Sequence, residues 1–147
     1  MRIHSSTLTA ENAKLNVSGA TIDEATTFIV KRGEFNIYGA TFANTTLRIT
    51  DTAMYIAPGA IVDISLTTMV LESVSNYGAA NITVSGTPTG ATLRLVNTTI
   101  TYGGYQYLFR IEANATVIFI NSTVEGAGWS QAYPGIITGH SYATIGE

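Results

Sequence analysis

The chain has 147 residues, a formal net charge of −3 and a hydrophobic share of 46%, whereas only 12% of its residues are charged. This length fits a single domain, and seven scattered basic residues do not form the basic footprint that nucleic acid binding needs. The sequence has no cysteine for a disulfide or a zinc site, and no apolar run is long enough for a membrane-spanning helix.

A repeat of about 20 residues runs along the chain. Its clearest copies are residues 15–22 (LNVSGATI) and 35–42 (FNIYGATF), and residues 55–62 (YIAPGAIV) follow in the same register. Further copies begin at residues 74, 93 and 117. Repeats of this length that are rich in Val, Ile and Thr are typical of solenoids.

The fifth position of the repeat is restricted to two residue types. Glycine adopts positive φ freely, and asparagine tolerates left-handed backbone geometry better than most other residues. We therefore expect one sharp corner per coil, with its residues aligned along a single axis. The six residues at this position are Gly19, Gly39, Gly59, Gly78, Asn97 and Asn121.

Apolar residues alternate before this position, as in Leu15 and Val17, which is the pattern of a strand with one buried face. A second apolar strand follows 12 to 14 residues into the early copies, for example Phe28–Val30. The pattern predicts an all-β fold, a single-stranded parallel β-helix of about six to seven coils of 19–24 residues. Such irregular coil lengths favour the right-handed form. An antiparallel sandwich is the alternative, because it also has short strands and frequent turns.

Six of the nine asparagines begin an Asn-X-Ser/Thr triplet, which is the acceptor motif for N-glycosylation. This excess suggests a glycosylated extracellular protein. The alternative is that corner geometry explains Asn97 and Asn121, and that strand propensity explains the threonines. The candidate residues are Asn16, Asn44, Asn81, Asn97, Asn114 and Asn121.

The residues that could carry chemistry are sparse. Asp23 and Asp63 occupy equivalent repeat positions two coils apart, hence roughly 10 Å apart at about 4.8 Å per coil, which is close to the carboxyl spacing of inverting glycosidases. Two solvated corner carboxylates are the simpler interpretation. His4 and His140 are isolated, and we predict no catalytic residue, metal site or cofactor. The C-terminal third is rich in aromatic side chains that either stack on sugars or fill a longer coil: Tyr102, Tyr105, Tyr107, Phe109, Trp129 and Tyr133.

With this coil pattern, residues 8 to 145 resemble the right-handed parallel β-helix proteins, the pectate-lyase-like superfamily in the broad sense. The chain is most similar to the Thr- and Asn-rich, cysteine-free members found in archaeal and bacterial surface layers, sheaths and adhesins. The resemblance rests on the repeat and on the Gly or Asn corner, and it implies a β-solenoid. The acidic and arginine motifs of the enzymes in that superfamily are not found in this sequence.

We therefore expect residues 1–147 to form one β-solenoid domain, either a piece of a longer solenoid or a self-assembling subunit. Because a β-helix has two open ends with unpaired backbone groups, the expected function is non-enzymatic and structural: a subunit or segment of an extracellular filament, sheath or surface layer. The expected partners are further copies of the chain, with glycans as a second class. A carbohydrate-binding or polysaccharide-cleaving β-helix, of the lyase, hydrolase or tailspike type, is the alternative function.

Overall fold

The computed structural model describes residues 1–74, 81–104, 108–125, 128–130, 133–134, 136–138 and 143–145. Short strands account for most of them, and no helix occurs in these ranges. In the N-terminal half the strands are β1 (Arg2–His4), β2 (Thr7–Glu11), β3 (Lys14–Val17), β4 (Ala20–Asp23), β5 (Thr27–Lys31), β6 (Glu34–Ile37), β7 (Ala40–Ala43), β8 (Thr46–Thr50), β9 (Ala53–Ile56), β10 (Ile61–Ser65) and β11 (Thr68–Ser73).

The remaining strands follow the same order along the chain. They are β12 (Asn81–Val84), β13 (Thr92–Val96), β14 (Thr99–Gly104), β15 (Leu108–Ile111), β16 (Thr116–Ile120), β17 (Thr123–Val124), β18 (Gly128–Ser130), β19 (Tyr133–Pro134), β20 (Ile136–Thr138) and β21 (Ala143–Ile145).

The strands form three parallel sheets, and each turn of the chain adds one strand to every sheet. The first sheet has the order β1-β4-β7-β10-β13-β16-β21, the second β2-β5-β8-β11-β14-β17 and the third β3-β6-β9-β12-β15-β20. This arrangement is a parallel β-solenoid, so the predicted fold class is confirmed and the antiparallel sandwich is excluded.

The solenoid makes about five turns, fewer than the six to seven expected. Strands β1 to β15 supply five complete sets of three. After β17 the chain leaves this path to form a short antiparallel pair, β18 with β19, before β20 rejoins the third sheet. One coil is also longer than the expected 19–24 residues, because Thr68 is paired with Thr99.

Alternation along the strands places every second side chain in the interior. In β10, for example, Val62 and Ile64 are fully buried, whereas Ile61 is exposed. In-register pairing then stacks like residues into inward rows that run along the axis. The main row of the first sheet is Ile3, Ile22, Phe42, Ile64, Leu95 and Phe119.

Three phenylalanines join the three sheets across the interior. Phe28 lies on the second sheet, Phe35 on the third and Phe42 on the first, and all three are at most 1% exposed. Their ring centroids are 5.9 to 6.4 Å apart. Two of the three pairs meet edge to face, an arrangement that aromatic rings favour. These three residues, the aromatic trio, therefore pack the second coil against the third in the interior of the solenoid.

Positive-φ residues occur at all three corners of the coil, and the ladder continues through them. At the first corner, between the first and second sheets, the amide of Asn97 donates to the carbonyl of Ile120 in the next coil at 2.9 Å. At the second corner, the amide of Asp51 donates to the carbonyl of Glu72 at 2.8 Å. A left-handed residue thus turns the chain without interrupting the hydrogen bonds between coils.

Candidate functional site: corner rows and coil ends

The predicted corner residues divide between two corners. Gly19, Gly39 and Gly59 lie at the third corner, between the third and first sheets, with φ of +55°, +124° and +70°. Asn97 and Asn121, both with φ of +47°, lie at the first corner. Gly78 lies outside the described residues.

The alignment that placed all six residues in one row was therefore wrong for the two asparagines. Left-handed residues mark every corner of the triangular coil, so a Gly or Asn position alone does not identify which corner is present. The three glycines do share one corner, and the asparagines share another.

The sequence contains a more regular motif that our repeat analysis missed. At the first corner a left-handed residue is followed by Ser or Thr, then Thr, then an apolar residue, each of the six times that the chain turns there. The copies are residues 5–8 (SSTL), 25–28 (ATTF), 44–47 (NTTL), 66–69 (LTTM), 97–100 (NTTI) and 121–124 (NSTV). Aligning the Ser/Thr-Thr pairs would have found this motif despite the unequal coil lengths.

In the four middle copies, the first hydroxyl of the motif lies inside the corner. Thr26, Thr45, Thr67 and Thr98 are at most 4% exposed. The Oγ1 of Thr67 donates to the carbonyl of Ser65 at 2.8 Å, and the Oγ1 of Thr98 donates to that of Val96 at 3.1 Å. These contacts satisfy buried polar groups that would otherwise be costly. We call these four threonines the inner hydroxyl row; in the end coils the equivalent Ser6 is exposed and Ser122 is half-buried.

The second threonine of each copy lies on the outer face of the second sheet. These six residues are paired in register from coil to coil and are exposed or half-buried, and we call them the outer threonine row. The row consists of Thr7, Thr27, Thr46, Thr68, Thr99 and Thr123. Threonine suits a strand face, so strand propensity is one sufficient reason for the row.

The structure places most glycosylation candidates at the surface. Asn81 is half-buried and the other five candidates are exposed. Asn44, Asn97 and Asn121 are the left-handed residues of the corner motif, and Asn114 also has positive φ, +68°. At Asn44, Asn97 and Asn121 the Asn-X-Ser/Thr triplet coincides with the corner motif, so the fold explains these three triplets without glycans.

Asp23 and Asp63 do not occupy equivalent positions, which corrects the repeat alignment. Asp63 is paired with Thr41, and Thr41 is paired with Thr21. Asp23 lies two residues after Thr21 on β4, so it does not stack in line with Asp63. The difference arises because the loop between β9 and β10 is longer than the preceding loops of the third corner. Each carboxylate instead has a cationic neighbour: Asp23 lies 2.9 Å from Arg2, and Asp63 lies 3.9 Å from Arg94.

Ion pairs connect the first coil to the second at each sheet. Besides Arg2 with Asp23, Arg32 pairs with Glu11, and Lys14 pairs with Glu34 at 2.9 Å. The hydrogen bond from Lys14, followed by its charge and a hydrogen bond from Asn36, lowers the pKa of the Glu34 carboxyl. The same hydrogen bond raises the pKa of Lys14.

The other candidate side chains are dispersed. His4 is exposed near Glu24, with Nδ1 3.4 Å from its Oε2, and His140 lies outside the described residues. Phe109 is fully buried and Tyr102 is 42% exposed. Tyr105 and Tyr107 lie outside the described residues, as do the side chains of Trp129 and Tyr133. Within the described ranges, no three His, Asp or Glu residues are placed to hold a metal ion, and no helix is long and apolar enough to cross a bilayer.

The two ends of the described solenoid are distinct from its middle. Six of the seven half-buried hydrophobic residues that pack on the core lie in its end coils: Ile3, Leu8, Ala10, Leu15, Phe119 and Val124. Their row neighbours Ile22, Phe28 and Phe35, one coil further in, are at most 1% exposed. The end coils therefore present apolar rows that another coil could cover.

Comparison with known proteins found no matching family model, no matching curated protein and no matching solved structure.

Proposed function

We propose that this chain is a non-enzymatic structural protein of the cell exterior, a β-solenoid subunit or segment of a filament, sheath or surface layer. The observation that carries the proposal is the half-burial of Ile3, Leu8, Leu15 and Val124 at the end coils, whereas the residues of the same rows in the middle coils, such as Ile22, Phe28 and Phe35, are at most 1% exposed. Because each coil of a solenoid is stabilised by its neighbours, covering these rows with further coils is favourable. The resemblance to right-handed β-helix proteins of archaeal and bacterial surfaces supports the same function.

The charge distribution is compatible with stacking. The charged side chains of the first coil lie on its outer faces and are already paired with the second coil, so they do not enter the interior. Covering the exposed part of an apolar side chain contributes roughly 25 cal/mol for each Å² removed from water. Stacking of coils therefore needs no new kind of contact.

Electron microscopy and light scattering of the purified chain over a concentration series test this proposal. We expect elongated particles whose length increases with concentration. Monodisperse single chains at every concentration would contradict it. Immunoblotting of the membrane and envelope fractions of the native cells, with an antibody to the chain, would test the extracellular location.

Glycans are a second element of the proposal. Asn16, Asn44, Asn97, Asn114 and Asn121 are exposed and can accept them sterically. Intact-mass measurement of the protein from its native cells, before and after deglycosylation, decides the matter. A mass equal to that of the bare polypeptide would remove the proposed glycans and leave the corner motif as the reason for the triplets.

One observation supports the alternative, a carbohydrate-binding or polysaccharide-cleaving domain. Tyr38 is 52% exposed and follows β6, whose outer face carries the Lys14–Glu34 ion pair and the hydrogen bond from Asn36 Nδ2 to Asn16 Oδ1 at 3.1 Å. An exposed ring beside polar groups suits the apolar face of a sugar. Glycan-array binding that is lost in Tyr38→Ala would favour this function.

A further inference from the structure

The first and last strands of each sheet carry similar residues at equivalent register positions. In the second sheet, Thr7 begins the outer threonine row and Thr123 ends it, while Leu8 and Val124 begin and end the inward row beside it. In the third sheet, Leu15 begins an inward row that reaches Phe109, and Ile136 of β20 holds the next register position. A second copy placed in line would therefore continue these rows without changing their chemistry.

The first sheet adds a condition, because it has one strand more than the other two. The solenoid path goes from the third sheet to the first, so the strand after β20 belongs on the edge of β16, and β21 occupies that edge. The first strand of a copy stacked below, β1, would need the same edge. In that position Ile3 would take the register position of Ile145, opposite Phe119.

We propose that a second copy of this chain binds head to tail at the end coil, with its β1, β2 and β3 pairing with β16, β17 and β20, and that its β1 replaces β21. This inference rests on the proposed structural function and names its interface. The contact is heterologous, since different surfaces meet, so it repeats along the axis instead of closing into a dimer.

The two surfaces are electrostatically compatible. Strands β16 and β17, with sequences TVIFI and TV, carry no charged residue. The charged residues of the incoming β1, β2 and β3 keep their own partners in the second coil, for example Arg2 with Asp23. No charged side chain of β1, β2 or β3 would therefore lie opposite a charged residue of β16 or β17 when these strands pair.

Because the chain has no cysteine, introduced thiols are unique reporters of this contact. Paired strands lie about 4.8 Å apart, so Thr7→Cys in one copy and Thr123→Cys in the next would be within reach of a short bis-maleimide. We expect a mixture of the two single variants to yield a covalent dimer that contains one of each. Each variant alone is the matched control and should stay uncoupled.

The outcomes separate this inference from the proposed function. Coupling between two copies of the Thr7→Cys variant would mean head-to-head contact, and assembly without any coupling would mean lateral contact. Either result would overturn the inference while leaving a structural function in place. A chain that never assembles would remove both.

The replacement of β21 can be tested separately, in the chain of 147 residues. Ile145→Asp puts a charge at the register position of Phe119 and should weaken β21, so assembly should begin at a concentration about tenfold lower, equivalent to about 1.4 kcal/mol. Thr144→Asp, at the register position of Ile118, is the matched control and should leave that concentration unchanged. An unchanged or higher concentration for Ile145→Asp would show that β1 does not displace β21.

Discussion

Thr45 and Thr67 contact each other inside the first corner, with their Oγ1 atoms 3.1 Å apart and both residues at most 4% exposed. They belong to adjacent coils, so the inner hydroxyl row links coil to coil through side chains as well as through the backbone. Buried hydroxyl groups are tolerated only when they have partners. The row is therefore a structural requirement of the corner.

Thr67→Val should destabilise the fold by about 1–2 kcal/mol, because it removes the bond to Ser65 and leaves the buried hydroxyl of Thr45 without this partner. The adjacent Thr68→Val, on the outer threonine row, is the control and should change stability by less than about 0.5 kcal/mol. Urea unfolding measures both. Equal effects at the two positions would contradict a role for the inner hydroxyl row.

The double variant Thr45→Val/Thr67→Val should cost less than the sum of the two single variants. Removing both hydroxyls leaves no unpartnered group at this contact. A double-mutant cycle from the same unfolding curves provides the coupling energy. Strict additivity would mean that the 3.1 Å contact contributes nothing.

Gly33→Ala should be much more disruptive than Gly19→Ala. A Cβ at Gly33 would lie 2.0 Å from the carbonyl oxygen of Ala13, which is backbone and cannot rotate away. A Cβ at Gly19 meets nothing within 4 Å, so only its positive φ opposes the change, at about 1–2 kcal/mol. We expect Gly33→Ala to release the first coil.

Hydrogen exchange of the amides in β2 and β3 measures this release. Fast exchange there in Gly33→Ala, with protection retained in Gly19→Ala, is the expected result. Retained protection in both variants would mean that the coils separate enough to admit a methyl group.

Phe35→Ala should destabilise the protein by about 3–5 kcal/mol, since it leaves a cavity at the centre of the aromatic trio. The control is Tyr38→Ala, in the same coil but with a side chain that is 52% exposed, for which we expect about 0.5 kcal/mol or less. Thermal unfolding followed by near-ultraviolet circular dichroism measures both. A small effect of Phe35→Ala would mean that the interior can collapse into the space.

The Lys14–Glu34 pair makes stability depend on pH in two ranges. The folded pKa of Glu34 lies below 4.5, so its contribution is present above that pH and is lost as the pH falls through the folded pKa. The folded pKa of Lys14 lies above 10.5, so its contribution is present below that pH and is lost as the pH rises through the folded value. Both groups are exposed, so we expect a small effect that decreases with added salt.

Lys14→Met should flatten the acidic part of this pH dependence. The measurement is the unfolding free energy of wild type and variant between about pH 3 and 7. Identical curves for the two proteins would show that the pair does not contribute. Lys31→Met is a suitable control, because no ion pair of that lysine is found among the described residues.

The strands and their inward faces could be read from the alternation of residues such as Leu15 and Val17, because a period of two is a local property of the chain. The left-handed geometry at Gly19 and Asn97 could be read from residue type for the same reason. The corner that each residue occupies could not be predicted from the sequence, because a coil has three similar corners. The spacing between successive threonines of the outer row also varies, from 19 to 31 residues.

Only the tertiary structure decided the register between coils, and with it the separation of Asp23 from Asp63 and the alignment of Thr7 with Thr123. Loop length shifts the register from one coil to the next, and a loop can vary in length at little cost in free energy. Alternation is local and survives such shifts, whereas the stacking of one residue on another depends on every loop between them.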